Sequence, residues 1–355
     1  MRTPTLRWAP AIAVTAAVTV FLPVAVAAPA SAHERWFVKD TGGGGDWGFF
    51  LSPLPLALTA AVVAVALGWR MVARRLPSPE LRPLRPLGRI VAYVPRLLAV
   101  HLGVSLLALA VTDGFLAHCV QLREVPGGPI AGLVEGALGV WFITGIRLRR
   151  AALGLAALTP LALLAAGPVA LFESAALFGI AAFLWILPPS DGSFGRVEPD
   201  PAVLRHALLA LRIGVATSLV TLAFSEKFTN PDLARRTIEA FPRLDVFSLI
   251  GIHLPHDTFI AFAASVELLF GVLVLSAALP QVVALVAAAP FSATLLLFGT
   301  TELIGHLPLY GVFLTFLVYG SSPATTPDVS WLPRLGRPGP RRPHRQADAA
   351  VTHTV

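Results

Sequence analysis

The stretch TFIAFAASVELLFGVLVLSAA, residues 258–278, is apolar along its length apart from one ionisable side chain, Glu267. A helix needs about 20 such residues to cross a bilayer, so the stretch predicts a transmembrane span. Because each helical residue rises about 1.5 Å, Glu267 falls near the middle of that span. An ionised carboxylate there costs roughly 2.5 to 3.5 kcal/mol, so we expect Glu267 to be protonated, paired or in a polar cavity, and we treat it as a functional candidate.

The same apolar pattern recurs along the whole chain of 355 residues, of which 55% are hydrophobic and 13% are charged. The mean hydropathy is +0.74. Because a soluble domain carries about 25% charged residues, the composition excludes that class. We therefore predict an all-α, polytopic transmembrane helical bundle with about nine mature spans. These lie near residues 50–69, 95–117, 130–146, 151–167, 169–187, 204–224, 258–278, 281–299 and 303–320.

The charges orient these spans. Arginines follow the first mature span, recur between later apolar runs and fill the C-terminal tail, and the formal net charge is +7. By the positive-inside rule, we expect a multi-pass plasma-membrane protein with an extracytoplasmic mature N-terminus and a cytoplasmic tail. The basic residues are not interleaved with aromatic residues as in a nucleic-acid-binding face, so we expect the lipid bilayer as partner and no nucleic acid. The single cysteine, Cys119, excludes an internal disulfide bond or a C-x-x-C redox pair.

Residues 1–32 have the layout of a secretory signal peptide: two arginines, an apolar core and the small-residue cleavage pattern ASA at 30–32. An uncleaved N-terminal anchor is the alternative. Cleavage there begins the mature chain at His33, whose α-amine and imidazole together suit copper(II). With His253 and His256 from a later extracytoplasmic loop, His33 forms a candidate metal site. In the alternative interpretation, the Trp and Phe residues that follow lie at the membrane interface.

Two parts of the chain are predicted to form four-helix units, because their polar landmarks match. AVTDGFLAH (110–118) corresponds to LAFSEKFTN (222–230), LVEGALGVWF (133–142) to SVELLFGVLV (265–274), and LFESAALFGIAAF (171–183) to GTTELIGHLPLYGVF (299–313). An even number of helices leaves both units in the same orientation, so we predict a parallel internal repeat. The predicted segments are a signal peptide (1–32), an extracytoplasmic segment (33–49), a leader helix with a basic loop (50–94), the two units (95–187 and 204–320), a cytoplasmic linker (188–203) and a disordered basic tail (321–355).

Three short stretches of the second unit resemble the DoxX-type family of four-helix membrane proteins: FSEKFTNP (224–231), VELLFGVLVL (266–275) and ELIGHLPLYG (302–311). The resemblance implies a membrane component of a redox or quinone-linked system. Members of the family are linked to thiosulfate oxidation, to quinol oxidase complexes and to thiol-stress complexes with soluble partners.

The resemblance carries over five positions as shared pattern residues: Lys227, Phe228, Glu267, Gly271 and Glu302. The fused first unit and the leader helix depart from the simple four-helix form of that family. Quinone and copper are the candidate cofactors, and a soluble redox enzyme is a candidate partner.

The candidate catalytic residues are Glu267, Glu302 and His306. Glu302 and His306 are four residues apart, so on a helix they share a face and form a candidate proton relay or quinone-headgroup site. The alternative is a polar pair at a helix end, in contact with lipid headgroups. Two further classes stay open: a proton-coupled transporter or permease, and a non-catalytic membrane scaffold for a soluble enzyme. The sequence does not decide whether the chain is an enzyme.

Overall fold

The computed structural model describes residues 34–38, 45–76, 81–187 and 194–333. The predicted signal peptide, His33 and the tail from residue 334 onward lie outside the described residues. Within the described ranges the chain is helical apart from turns, loops and one short hairpin, which confirms the all-α fold class.

In chain order the helices are α1 (Trp47–Phe50), α2 (Pro53–Ala73), α3 (Val94–Val111), α4 (Gly128–Thr144), α5 (Leu148–Ala157), α6 (Thr159–Glu173), α7 (Ala175–Ile186), α8 (Pro201–Leu222), α9 (Pro231–Ala240), α10 (Val246–Leu249), α11 (His256–Ser276), α12 (Pro280–Phe298), α13 (Thr300–Gly320) and α14 (Thr326–Val329). Strands β1 (Gly114–Phe115) and β2 (Ala117–Gln121) form an antiparallel hairpin between α3 and α4. Short 3-10 helices cover Glu34–Trp36, Arg82–Tyr93, Leu122–Glu124 and Pro242–Leu244.

Six helical segments of the described chain are long and apolar enough to cross a membrane: α2, α3 with the 3-10 helix before it, α8 with the turn after it, α11, α12 and α13. Their number and composition suggest a lipid-embedded protein. The predicted nine spans are not confirmed, because α4 and α7 are shorter, and α5 and α6 meet at a bend of 55°.

The predicted boundary between spans 151–167 and 169–187 falls at a break inside α6. Gly167 has a non-helical φ of 74° and is followed by Pro168, so α6 consists of two helical pieces joined at a kink. Two further breaks, at Leu158 between α5 and α6 and at Ser174 between α6 and α7, were not predicted. A Gly-Pro pair bends a helix, and here the helix resumes on the other side of the bend.

Helix α8 begins and ends with distinct local structures. The Asp200 carboxylate caps its first turn by accepting from the backbone N–H of Ala202 at 2.9 Å and of Val203 at 3.1 Å. At the other end the helix widens into one π-helical turn, Ala223–Phe228. Such turns occur often at functional sites, and this one holds Glu226 and Lys227.

The long helices pack in two similar sets. Helix α3 packs against α4 and α13, and α8 packs against α11 and α7. Glycines bring these helices close together: a Cβ on Gly139 would fall 2.7 Å from the Gly103 carbonyl oxygen, and one on Gly214 would fall 2.5 Å from the Cα of Gly179. Close approach at small residues is how helices associate where lipid surrounds them.

The disorder predicted from residue 321 is wrong for residues 321–333, which fold back against the bundle. The hydroxyl groups of Thr325 and Thr326 donate to the carbonyls of Tyr319 and Gly320 at the end of α13. Asp328 is buried in α14 and accepts from Arg205 Nε at 2.6 Å. These polar residues satisfy the free carbonyls of a helix end, a role that composition alone does not reveal.

Candidate functional site: a buried carboxylate cluster

The first described residues form a 3-10 turn, Glu34–Trp36, that lies on one end of the bundle; we call it the N-terminal turn. The backbone N–H of Glu34 donates to Glu226 Oε2 at 3.0 Å. Arg35 forms an ion pair with Glu173 and also donates to the carbonyl of Ser225 at 3.3 Å. The turn is therefore held by acids from α6 and from the π-helical turn after α8.

Lys227 is the central cation of this region, with 2% of its side chain exposed. Its Nζ lies 3.1 Å from Glu267 Oε2, 3.7 Å from Glu34 Oε1 and 3.8 Å from Glu226 Oε2. A lysine is tolerated away from water when several carboxylates surround it. Glu267, predicted to be paired, protonated or in a polar cavity, is therefore paired.

Six side chains make up what we call the carboxylate cluster: Glu34, Arg35, Glu173, Glu226, Lys227 and Glu267. Four are acids and two are cations, so the fully ionised cluster would carry two uncompensated negative charges. Buried charge without a partner is costly. Burial raises the pKa of Glu34 to about 7, an effect that the nearby Lys227 opposes. The cluster is thus built to hold protons as well as ion pairs.

Glu302 and His306 lie together one turn apart on α13, as their spacing predicted. The distance between His306 Nδ1 and Glu302 Oε1 is 3.1 Å, and each side chain is 1% exposed. The Trp36 ring lies 5.3 Å from the His306 ring and 5.1 Å from the His118 ring, centroid to centroid. The N-terminal turn therefore joins the carboxylate cluster to this second polar group.

A cavity opens beside Trp36, between α3, α7, α8 and α13. Polar groups in its wall include Ser105, Ser218, Glu173, His118 and Cys119. The centres of water-sized atoms can occupy about 50 Å³ of it. At roughly 10 to 15 Å³ for each water, that is room for a few water molecules.

Two hairpin residues in the cavity wall have perturbed proton affinities. Burial, with smaller contributions from Glu173 and Glu226, raises the pKa of the Cys119 thiol to about 12. Burial also lowers the pKa of His118 below its ordinary value. Cys119 is therefore a neutral thiol at physiological pH.

The predicted metal residues are not brought together by any contact in the described chain. His253 and His256 are exposed, before and at the start of α11, and His33 lies outside the described residues. Among the described residues, no group of three or more His, Cys, Asp and Glu side chains is placed to hold a metal ion. The metal site that includes His33 stays a prediction.

The sequence indicated Glu267, Glu302 and His306, and the structure places all three at the same end of the bundle. It did not indicate the roles of Arg35 and Trp36. The only sequence signal for them was a charged and aromatic segment just after the apolar N-terminal stretch.

Comparison of the chain with protein-family models, curated proteins and solved structures gives no match. The resemblance to the DoxX-type family therefore stays a prediction carried by short motifs.

Proposed function

We propose that this integral membrane protein exchanges protons at its carboxylate cluster, as the membrane component of a quinone-linked redox system. The observation that carries the proposal is the excess of two carboxylates over cations in a buried cluster beside a cavity. Ionisable groups kept within a membrane protein mark proton relays and ligand pathways. By the positive-inside rule, the arginine-rich end of the bundle faces the cytoplasm, so the cluster faces outward at the plasma membrane.

The chain's own residues suit the proton half of quinol chemistry. Oxidation of a quinol releases two protons and two electrons, and the cluster has carboxylates to accept protons. A bound quinone would supply the two-electron chemistry, and a soluble redox partner would take the electrons.

The slot between His118 and His306 is filled by the Trp36 indole, so a planar quinone ring would enter it only when Trp36 is displaced. Elsewhere the cavity has room for a few waters only. We therefore assign His118 and His306 as the residues that would hold the ring. Glu302 would exchange a proton with His306.

The test is binding of a short-chain quinone to the purified protein in lipid nanodiscs between pH 5.5 and 8.5. Proton linkage through the cluster predicts a pH-dependent affinity in the wild type, and a clearly weaker pH dependence in Glu267→Gln. The matched control is Glu198→Gln, because Glu198 is an exposed acid, 79% exposed, paired only with Arg196. A wild-type protein with no saturable quinone binding would overturn the quinone-linked role.

A second function, proton-coupled transport, is supported by the packing of the helices. Ser105 and Ser218 each lie eight residues before the matched acids Asp113 and Glu226. The Ser105 hydroxyl donates to the Ile304 carbonyl at 2.8 Å, and the Ser218 hydroxyl donates to the Glu173 carbonyl. Each serine thus contacts a late helix of the other unit, and both line the cavity.

Glycine contacts also join helices within each unit and between the two units in matched positions. Gly139 and Gly271 meet the first helix of their own unit, and Gly179 and Gly311 meet the first helix of the other unit. These contacts support a parallel repeat with the cavity at its interface, where transporters place their substrate sites. Nine spans follow if the bent α5–α6 pair and the shorter helices α4 and α7 each cross the membrane as well.

Transport is tested by reconstitution into proteoliposomes with an internal pH dye. Substrate-dependent proton uptake that is lost in Glu267→Gln and kept in Glu198→Gln would favour a transporter. Quinone binding without flux would favour the redox component. A stoichiometric soluble partner without either would favour the scaffold.

A further inference from the structure

Glu135 on α4 occupies the position in the first unit that Glu267 occupies in the second. The two acids lie at the same place in the matched stretches LVEGALGVWF and SVELLFGVLV. Four residues further on, Gly139 and Gly271 make the close contacts of α4 with α3 and of α11 with α8. Glu135 is completely buried.

The surroundings of the two acids differ in one decisive way. When Asp113 is placed on Glu226, which shifts the pairing of AVTDGFLAH with LAFSEKFTN by one residue, Gly114 stands where the second unit has Lys227. Glu135 therefore has a backbone partner in place of a cation: its Oε1 accepts from the N–H of Leu116 at 2.9 Å. Its Oε2 has no hydrogen-bond partner among the residues that the structure describes.

Charged groups on the elements packed against α4 do not compensate Glu135. Asp113 before β1, and Arg123 and Glu124 in the 3-10 helix after β2, are all exposed. A carboxyl group in this setting can exchange a proton without breaking an ion pair.

We propose that Glu135 is a second proton-exchanging carboxyl group, the counterpart of Glu267 in the first unit. The proposal rests on the proton-exchange function proposed above and extends it to two such sites in each chain. Protonation of Glu135 is coupled to the cavity by its hydrogen bond to Leu116, a residue that lines the cavity and has a φ of 59°, a conformation that favours glycine. An ionised Glu135 forms a stronger hydrogen bond to the Leu116 N–H than a neutral one. Protonation therefore changes the strength of the bond that fixes the β1–β2 hairpin.

The experiment uses Glu135→Gln, because a glutamine carbonyl still accepts from the Leu116 N–H but exchanges no proton. Infrared difference spectra of the full chain in nanodiscs, recorded during a pH titration, show the carbonyl stretch of protonated carboxyl groups. We expect the wild type to show a titrating band that Glu135→Gln lacks, equal to one carboxyl group per chain. Glu267→Gln should lose a different band.

Glu135→Leu is the companion variant, since it removes both the proton and the acceptor for Leu116. Normal folding of Glu135→Gln together with weakened folding of Glu135→Leu shows that the glutamine preserves the structural contact. If the titrating bands of Glu135→Gln equal those of the wild type, the second site is overturned, even where Glu267→Gln still loses its band. Failure of quinone binding or flux would leave this readout intact, so the two proposals fail separately.

Discussion

A methyl group added at Gly305 should unseat the N-terminal turn. Gly305 lies on α13 directly beneath the Trp36 ring, and a Cβ built there would overlap the ring atoms Cη2 and Cζ3. Gly305 lies within α13, three residues before Pro308, and Gly305→Ala gives the helix a better helix former. The conflict falls on Trp36, which is the only side chain among the nearest neighbours of that Cβ.

The size of the effect follows from the cost of overpacking, about 1 to 3 kcal/mol for an inserted methyl or methylene group. Because each 1.4 kcal/mol changes an equilibrium constant tenfold, the population with Trp36 displaced should rise by about 5- to 150-fold. The ion pair of Arg35 with Glu173 opposes the displacement and sets where in this range the variant falls.

Cys119 is a native reporter for that displacement. It is the single cysteine of the sequence, and its partly buried side chain lines the same cavity as Trp36 and Gly305. Maleimide labelling at pH 7.5, followed by intact mass, should be slow in the wild type and faster in Gly305→Ala by the factor given above. Gly136→Ala is the matched control, since a Cβ on this α4 glycine meets only ordinary contacts, at 3.6 and 3.8 Å.

Equal labelling rates in Gly305→Ala and Gly136→Ala would refute the idea that Trp36 closes the cavity. A double variant supplies the second check. In a Trp36→Ala background the ring is absent, so Gly305→Ala should change the Cys119 rate no further, and additive effects would contradict direct contact.

Three further predictions concern the charges. Lys227→Met removes the central cation from among the buried acids and should lower the free energy of unfolding at pH 7 by about 3 to 5 kcal/mol, measured by denaturation in detergent. Unchanged stability would contradict the pairing of Lys227 with these acids. Burial raises the pKa of Glu34 from 4.5 to about 7, so the folded state binds this proton more tightly than the unfolded state, and the stability of the protein falls as pH rises between these values. Glu34→Gln should remove about 3 kcal/mol of that pH dependence. An unaltered pH profile of stability would count against the raised pKa. Asp328→Asn leaves Arg205 without its charged partner and should speed proteolysis after α13, at a cost of about 1 to 3 kcal/mol; equal cleavage rates would show that α14 does not need the pair.

Apolar length predicted the long helices well and the short ones poorly. The run 258–278 predicts a helix that the structure places at His256–Ser276, because twenty apolar residues with one acid have few other stable forms in lipid. Between residues 151 and 186 the polar residues of the sequence are Thr159, Glu173 and Ser174, and they stand at the breaks between α5 and α6 and between α6 and α7. Thr159 is followed by Pro160, and proline is common at the first turn of a helix, so the local pattern marks a break that apolar length alone does not.

The candidate site shows the same division. Glu267, Glu302 and His306 stand out because ionisable residues are rare in apolar runs, and the i, i+4 spacing of the last two gives their contact directly. The contacts that complete the site join residues far apart in the chain: 192 positions separate Glu34 from Glu226, and 138 separate Arg35 from Glu173. No periodicity connects residues at such separations.

The N-terminal turn couples charge in the cluster to access to the cavity, because Glu34 and Arg35 bind the acids while the next residue, Trp36, fills the slot above Gly305. Burial in the docked turn raises the pKa of Glu34 to about 7, so the docked turn binds this proton more tightly than the displaced one, and acid should favour the docked state. The ratio of Cys119 labelling in the wild type to that in Trp36→Ala, where the ring is absent at every pH, removes the thiol's own ionisation from the comparison. That ratio should fall between pH 8 and pH 5.5, and a constant ratio would show that the turn is held by packing of Trp36 alone.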